Sequence, residues 1–108
     1  MATLKAPSNL TAASVPFPRY VDVIELDDAN AQSWTVPDGV KFALISTDGS
    51  VYARAGGSAA TVPAADIVDG TGSLLIQSSA QFIVEDGGTI SFIRAGSSTV
   101  LISIGCYN

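Results

Sequence analysis

Turn signals recur along the chain at short intervals, and this constrains the fold more than any other feature. Pro37-Asp38-Gly39, Asp48-Gly49, Ala55-Gly56-Gly57, Asp69-Gly70, Asp86-Gly87-Gly88 and Ala95-Gly96 leave few uninterrupted stretches. Glycine accepts left-handed backbone and proline presets φ, so such clusters turn the chain sharply. Between them lie short runs: "RYVDVIEL" (19–26), "QSWTV" (32–36), "VKFALIST" (40–47), "SVYAR" (50–54), "SLLIQ" (73–77), "QFIV" (81–84), "TISFIR" (89–94) and "STVLISI" (98–104). They are rich in β-branched and aromatic residues, which suit strands. In the last run Val100, Ile102 and Ile104 face one way and Thr99 and Ser103 the other, the period of a half-buried strand. In "VKFALIST", Val40, Phe42 and Leu44 share a face, and Asp48-Gly49 reads as a tight hairpin turn. The only window open to a helix, 59–69, has Pro63 in its middle.

Short strands at regular spacing predict an all-β fold, an antiparallel β-sandwich, jelly-roll-like. The domain is expected over 19–108, preceded by an extended N-terminal arm over 1–18. Pro7, Pro16 and Pro18 break that first segment. It reads either as a tail or as an arm that orders against a partner, with Val15, Phe17 and Tyr20 to bury. A weak repeat supports a two-part sandwich: Val36-x-Asp38-Gly39 aligns with Val84-x-Asp86-Gly87, and Arg54-Ala-Gly-Gly with Arg94-Ala-Gly-Ser.

Charge narrows the partners. The 108 residues carry five Lys and Arg against ten Asp and Glu, a net charge of −5. The cations Lys5, Arg19, Lys41, Arg54 and Arg94 are scattered, so no basic patch for nucleic acid forms. No apolar run approaches the ~20 residues that span a bilayer, and no secretory leader is expected. With one cysteine, Cys106, no internal disulfide is available, which fits assembly from a reducing cytosol. Only 14% of residues are charged and mean hydropathy is +0.39. So apolar a small protein is expected to bury surface against other subunits.

The chain has no histidine. That removes the commonest general base, the usual nucleophile pairs and the imidazole ligands of metal-dependent cupins, which the "VPDG" turn otherwise resembles. Cys106 lies on the core face of the last strand and reads as a small buried hydrophobe. Asp22 and Glu25 point to opposite faces of one strand, and the other acids sit at turns. No enzyme activity, cofactor or metal is expected. Arg54 and Arg94 each end a strand. They either pair with local acids or make symmetric contacts across a subunit interface. Trp34 is either core or an interface or ligand anchor.

"PAADIVDGTGS" (63–73) has the residue types of a ligand loop, but Asp66 and Asp69 lack calcium-loop spacing and no lysine follows Gly70 or Gly72. The long connection over 56–73 is instead expected to be a sheet-to-sheet crossover. Ile67 and Val68 would pin it to the core or to a neighbouring subunit.

The run "WTVPDGVKF" (34–42), followed by "YARAGGSAATVPAADIVDGTGS" (52–73) and a β-rich end, resembles small structural proteins of tailed bacteriophages and prophages. The resemblance spans roughly 30–104. It implies a virion structural role, and in several such proteins a trimeric jelly roll that clamps the major capsid protein. The expectation is a capsid decoration, or cement, protein: a homo-oligomer, favoured as a trimer, located in the virion and made in the host bacterial cytoplasm. A carbohydrate- or receptor-binding β-sandwich of a fibre or baseplate is the alternative. The expected contact residues are Val15, Phe17, Tyr20, Trp34, Arg54, Ile67, Val68 and Arg94.

Overall fold

A computed structural model describes residues 16–108. Eight strands run through it: β1 (Tyr20–Leu26), β2 (Gln32–Thr35), β3 (Phe42–Thr47), β4 (Val51–Ala55), β5 (Leu74–Ile76), β6 (Ser79–Ile83), β7 (Thr89–Arg94) and β8 (Val100–Tyr107). No helix occurs among the described residues. Val15 and the rest of the expected arm before Pro16 lie outside them.

The pairing is nested. β1 pairs with β8, β2 with β7, β3 with β6 and β4 with β5, all antiparallel. The chain is therefore one long hairpin with its tip at the β4–β5 loop, bent back and forth between two layers. The first sheet has the order β1-β8-β3-β6 and the second β2-β7-β4-β5, joined within each layer by β3–β8 and β4–β7. The expected antiparallel β-sandwich is present.

The topology corrects two connections. Asp48-Gly49 is not a hairpin turn, because β3 and β4 lie in different sheets. It is a crossing, and Asp48 holds it to β8: its Oδ1 accepts from the Leu101 amide at 2.8 Å, and its own amide donates to Leu101 O at 3.2 Å. Conversely, 56–73 is not a crossover, since it joins the adjacent strands β4 and β5 of one sheet. Length misled here. Packed sheets lie ~10 Å apart, and three extended residues reach about that far, so a crossing can be short.

The two Val-x-Asp-Gly corners are neighbours in space. Val36 N donates to Gly88 O at 2.8 Å and Gly87 N to Val36 O at 3.3 Å. Both corners cross between sheets, β2 to β3 and β6 to β7. Gly39 (φ 82°) and Gly87 (φ 76°) supply the left-handed residue each needs. The repeat is thus a pair of matched corners.

The core lies between the sheets. Phe92, Ile102, Ile104 and Val51 are fully buried, with Ile45, Leu26 and Val36 close behind. Each such side chain contributes roughly 1.5–3 kcal/mol by burial. In β8, Val100, Ile102, Ile104 and Cys106 face inward as their alternation requires. In β3 the expected face is wrong. Ala43 and Ile45 are buried, whereas Phe42 and Leu44 point away from the core and are half-buried. Val40 is buried but precedes the strand, so the corner at Gly39 breaks the alternation that seemed to link it to Phe42.

Candidate assembly surfaces

The β4–β5 loop is held by side chains of its own and by Ser91 of β7. Ser91 of β7 is 4% exposed although its register directs it to the outer face of the second sheet. It is buried because the loop lies over it: the Ala60 amide donates to Ser91 Oγ at 2.9 Å, and Ala60 is itself buried. The Thr61 amide donates to Ser73 Oγ at 3.1 Å. At the far end Asp69 Oδ1 accepts from the Thr71 hydroxyl (2.6 Å) and amide (3.1 Å). The Thr71 hydroxyl, then its amide, hold the Asp69 carboxyl below the usual range. The acid closes a turn on itself.

Ile67 and Val68 do not pin this loop to the core. Val68 is 93% exposed, and Ile67 packs locally near Gly72 while staying largely open. Exposed apolar residues also lie at the β5–β6 side of the sandwich. There Ile83 is 93% and Leu74 56% exposed, and Leu75 is exposed beside them. Leu74 points inward by register, opposite Ala53, yet remains open because the two sheets do not close over it. An open cavity of ≈ 550 Å³ lies there, lined by Ile45, Ile76, Phe82 and Ile90, with Arg54 and Glu85 among its polar groups. β5 and β6 are the outermost strands of their sheets, and neither carries a charge or a proline. Exposed edges are normally blunted by such residues, and an uncharged apolar edge invites another chain.

The outer face of the first sheet is also apolar. Its cross-strand rows run Tyr107–Phe42–Ile83, then Val21–Gly105–Leu44–Gln81, then Val23–Ser103–Ser46–Ser79, then Glu25–Leu101. Glu25 is the only charge in these strand rows, where a solvated sheet face ordinarily alternates to polar residues. Phe42 and Tyr107 stack with centroids 4.8 Å apart. Residues 16–18 lie on this face. The Tyr107 hydroxyl donates to Pro16 O at 2.6 Å, and the Pro18 ring sits on Gly105. A Cβ at residue 105 would stand 2.6 Å from Pro18 Cγ, so only glycine admits this contact. Phe17 between the prolines is 91% exposed.

The other expected contacts fall differently. Tyr20 is 52% exposed at the start of the outermost strand β1. Trp34 is core, buried with its Nε1 donating to Asp22 Oδ2 at 2.8 Å, and offers no surface to a partner. Asp22 faces inward and Glu25 outward, as their odd spacing requires. Arg54 and Arg94 are not equivalent: opposite Ser91, Arg54 faces the outside of the second sheet, while Arg94, opposite Val51, starts inward. Arg94 Nε is buried without a hydrogen-bond partner. The two arginines therefore leave the second sheet from opposite faces. Sequence reasoning missed Ile83, Leu74, Leu75 and Val23. Their signal was present, since "QFIV" and "SLLIQ" are apolar runs with no charge on either side of the pleat.

Cys106 is buried, with its thiol pushed up by desolvation and by the Asp22 carboxylate. A raised thiol pKa leaves little thiolate, the reactive form. No three of His, Cys, Asp and Glu gather as a cation site among the described residues. No helix among them is long and apolar enough to cross a membrane. No family model matches the chain, and no curated protein or solved structure matches it.

Proposed function

We propose that this chain is a non-enzymatic structural protein of a phage virion, a capsid decoration or cement protein that works as a homo-oligomer. The observation that carries the reading is the pair of uncharged, apolar edge strands β5 and β6, where Ile83 is almost wholly exposed and Leu74 and Leu75 are open. An assembly protein needs such a surface, and a catalyst has no use for it. The nested strand pairing supports the jelly-roll reading, because a jelly roll is a long hairpin rolled into two sheets. Its acidic, histidine-free composition and its resemblance to phage structural proteins point the same way.

The β5 and β6 edges serve subunit contact, and a trimer is the favoured oligomer. The major capsid protein is the partner across the remaining exposed surface, with neither nucleic acid nor membrane involved. The carbohydrate-binding alternative loses its main aromatic platform, since Trp34 is in the core. The test is native mass spectrometry of the full chain, followed by co-sedimentation with capsids assembled from a tailed-phage major capsid protein. Trimers that sediment with capsids are expected. Monomers that stay in the supernatant contradict the proposal.

A further inference from the structure

We propose that the free edge of β6 takes strand β5 of a second copy, antiparallel, so that the first sheet of one subunit runs on into the second sheet of the next through backbone hydrogen bonds. This pairing rests on the assembly reading of the β5 and β6 edges and supplies its bonds. The backbone phase of β6 is fixed at both ends. The Thr47 amide donates to Ser78 O at 2.8 Å, and the Val84 amide to Lys41 O at 2.9 Å. In an antiparallel pair the hydrogen-bonded positions recur at every second residue. Between those two bonds, Ala80 and Phe82 therefore turn their backbone groups to β3, opposite Ile45 and Ala43. Ser79, Gln81 and Ile83 turn theirs to the free edge. The phase of β5 follows in the same way. The Ala95 amide donates to Ser50 O at 3.0 Å and the Gly56 amide to Thr89 O at 3.2 Å, so the even-numbered residues of β4 bond β7. Val51 and Ala53 then bond Ile76 and Leu74, which leaves the Leu75 backbone at the free edge.

The two edges match. Gln81 and Leu75 each carry free backbone groups and an outward side chain, opposite Leu44 and Tyr52 in their own sheets. A hydrogen-bonded pair stands directly opposite on one face, so Gln81 against the neighbour's Leu75 keeps a single pleat. The register then sets Ser79 against Gln77 and Ile83 against Ser73 on the outer face. On the inner face it sets Ala80 against Ile76 and Phe82 against Leu74. Leu74 is directed inward yet 56% exposed, and a phenylalanine from the next copy is what covers it. No row brings two charges together, since neither strand carries one. Strand addition of this kind draws its affinity from main-chain bonds. β5 and β6 follow one another across Gln77-Ser78 and are each outermost in their sheet. A contact between β6 and β5 is heterologous and closes into a ring, as a trimer requires, whereas β6 against β6 is isologous and stops at two copies.

Proline variants of the full chain test it by native mass spectrometry at micromolar concentration. Gln81→Pro removes a free-edge amide and none of the bonds to β3, and an edge strand tolerates proline where its N–H faces outward. Leu75→Pro does the same on β5. Each is expected to turn wild-type trimers into folded monomers. In the wild-type trimer the Gln81 and Leu75 amides are expected to exchange about tenfold more slowly than in the monomeric Ile83→Lys variant. That readout needs no proline and decides the matter if neither proline variant folds. Trimers that survive both prolines, or equal exchange in trimer and monomer, overturn the pairing; if Ile83→Lys still dissociates them, the assembly reading stands on side-chain contacts alone. A wild-type dimer overturns the pairing by joining β6 to its own copy. A monomeric wild type overturns the pairing and the assembly reading together.

Discussion

Replacing Ser91 with alanine separates two ideas of what holds the long β4–β5 loop. In the folded chain Ser91 Oγ accepts the Ala60 amide at 2.9 Å, and both residues are buried, at 4% and 2% exposure. Ser91→Ala leaves that amide without a partner and without water. Such an orphaned donor costs about 1–3 kcal/mol. For a domain of this size each kcal/mol lowers Tm by roughly 4–8 °C. Val68 gives the opposite expectation. At 93% exposure it buries almost none of the ~1.5–3 kcal/mol that a fully buried aliphatic side chain gains, so Val68→Ser changes chain stability by about 0.2 kcal/mol or less. Urea denaturation of both variants, at concentrations where each is monomeric, measures the contrast. Hydrogen exchange at the Ala60 amide adds a local readout, expected to speed up in Ser91→Ala. The reasoning is refuted if Val68→Ser destabilises the isolated chain more than Ser91→Ala does.

The core and its chemistry carry further expectations. Phe92→Ala, at a fully buried position, lowers stability by about 3–5 kcal/mol in denaturant titrations. Trp34→Phe keeps the packing but takes the donor from Asp22 Oδ2, and a hydrogen bond to a charged group is worth about 1.5–3 kcal/mol in the same assay. The Cys106 thiol is raised above its ordinary 9.0, so its folded form holds the proton at pH values where the unfolded chain has lost it. Stability from this group is complete below pH 9.0 and falls as pH rises from there through the folded value; Cys106→Ala flattens that alkaline slope in pH-dependent melting. Millimolar Ca²⁺ leaves the melting temperature unchanged in the wild type and in Asp66→Asn/Asp69→Asn alike, because Asp69 Oδ1 is engaged by Thr71.

Strand content was legible because alternation is local. Val100, Ile102 and Ile104 reveal their face without reference to any partner, and the absence of an uninterrupted amphipathic window removes helices. What turn residues do not encode is which sheet receives the next strand. Asp48-Gly49 makes a crossing as readily as a hairpin, and its capture by the Leu101 backbone depends on a strand more than fifty positions away. The same limit hid the difference between Arg54 and Arg94. Their local sequences match, but their places in the β4–β7 register put them on opposite faces. For β3, one corner glycine shifted the phase, so Phe42 and Leu44 read as core and lie on the outside.

The contact surfaces were half legible. Phe17, Tyr20, Ile67 and Val68 stood out as apolar residues that could meet a partner, and all are exposed, although Ile67 and Val68 were equally expected to reach the core. Trp34 drew attention for its size, yet size alone does not distinguish a core anchor from a surface one; the Asp22 carboxylate beneath it decides the matter. Ile83 passed unnoticed because an apolar residue in a strand is presumed to face inward. Only the register shows that Phe82 faces the core, which leaves Ile83 on the outer face.

The central claim is that the uncharged, apolar edge strands β5 and β6 make this chain an assembly protein. Native mass spectrometry of the wild type beside Ile83→Lys, at micromolar chain concentration, tests it most directly. A charge at this 93% exposed edge position leaves the fold and its melting temperature intact. The account predicts trimers for the wild type and monomers for Ile83→Lys. A monomeric wild type, or an oligomer that Ile83→Lys leaves unchanged, contradicts it.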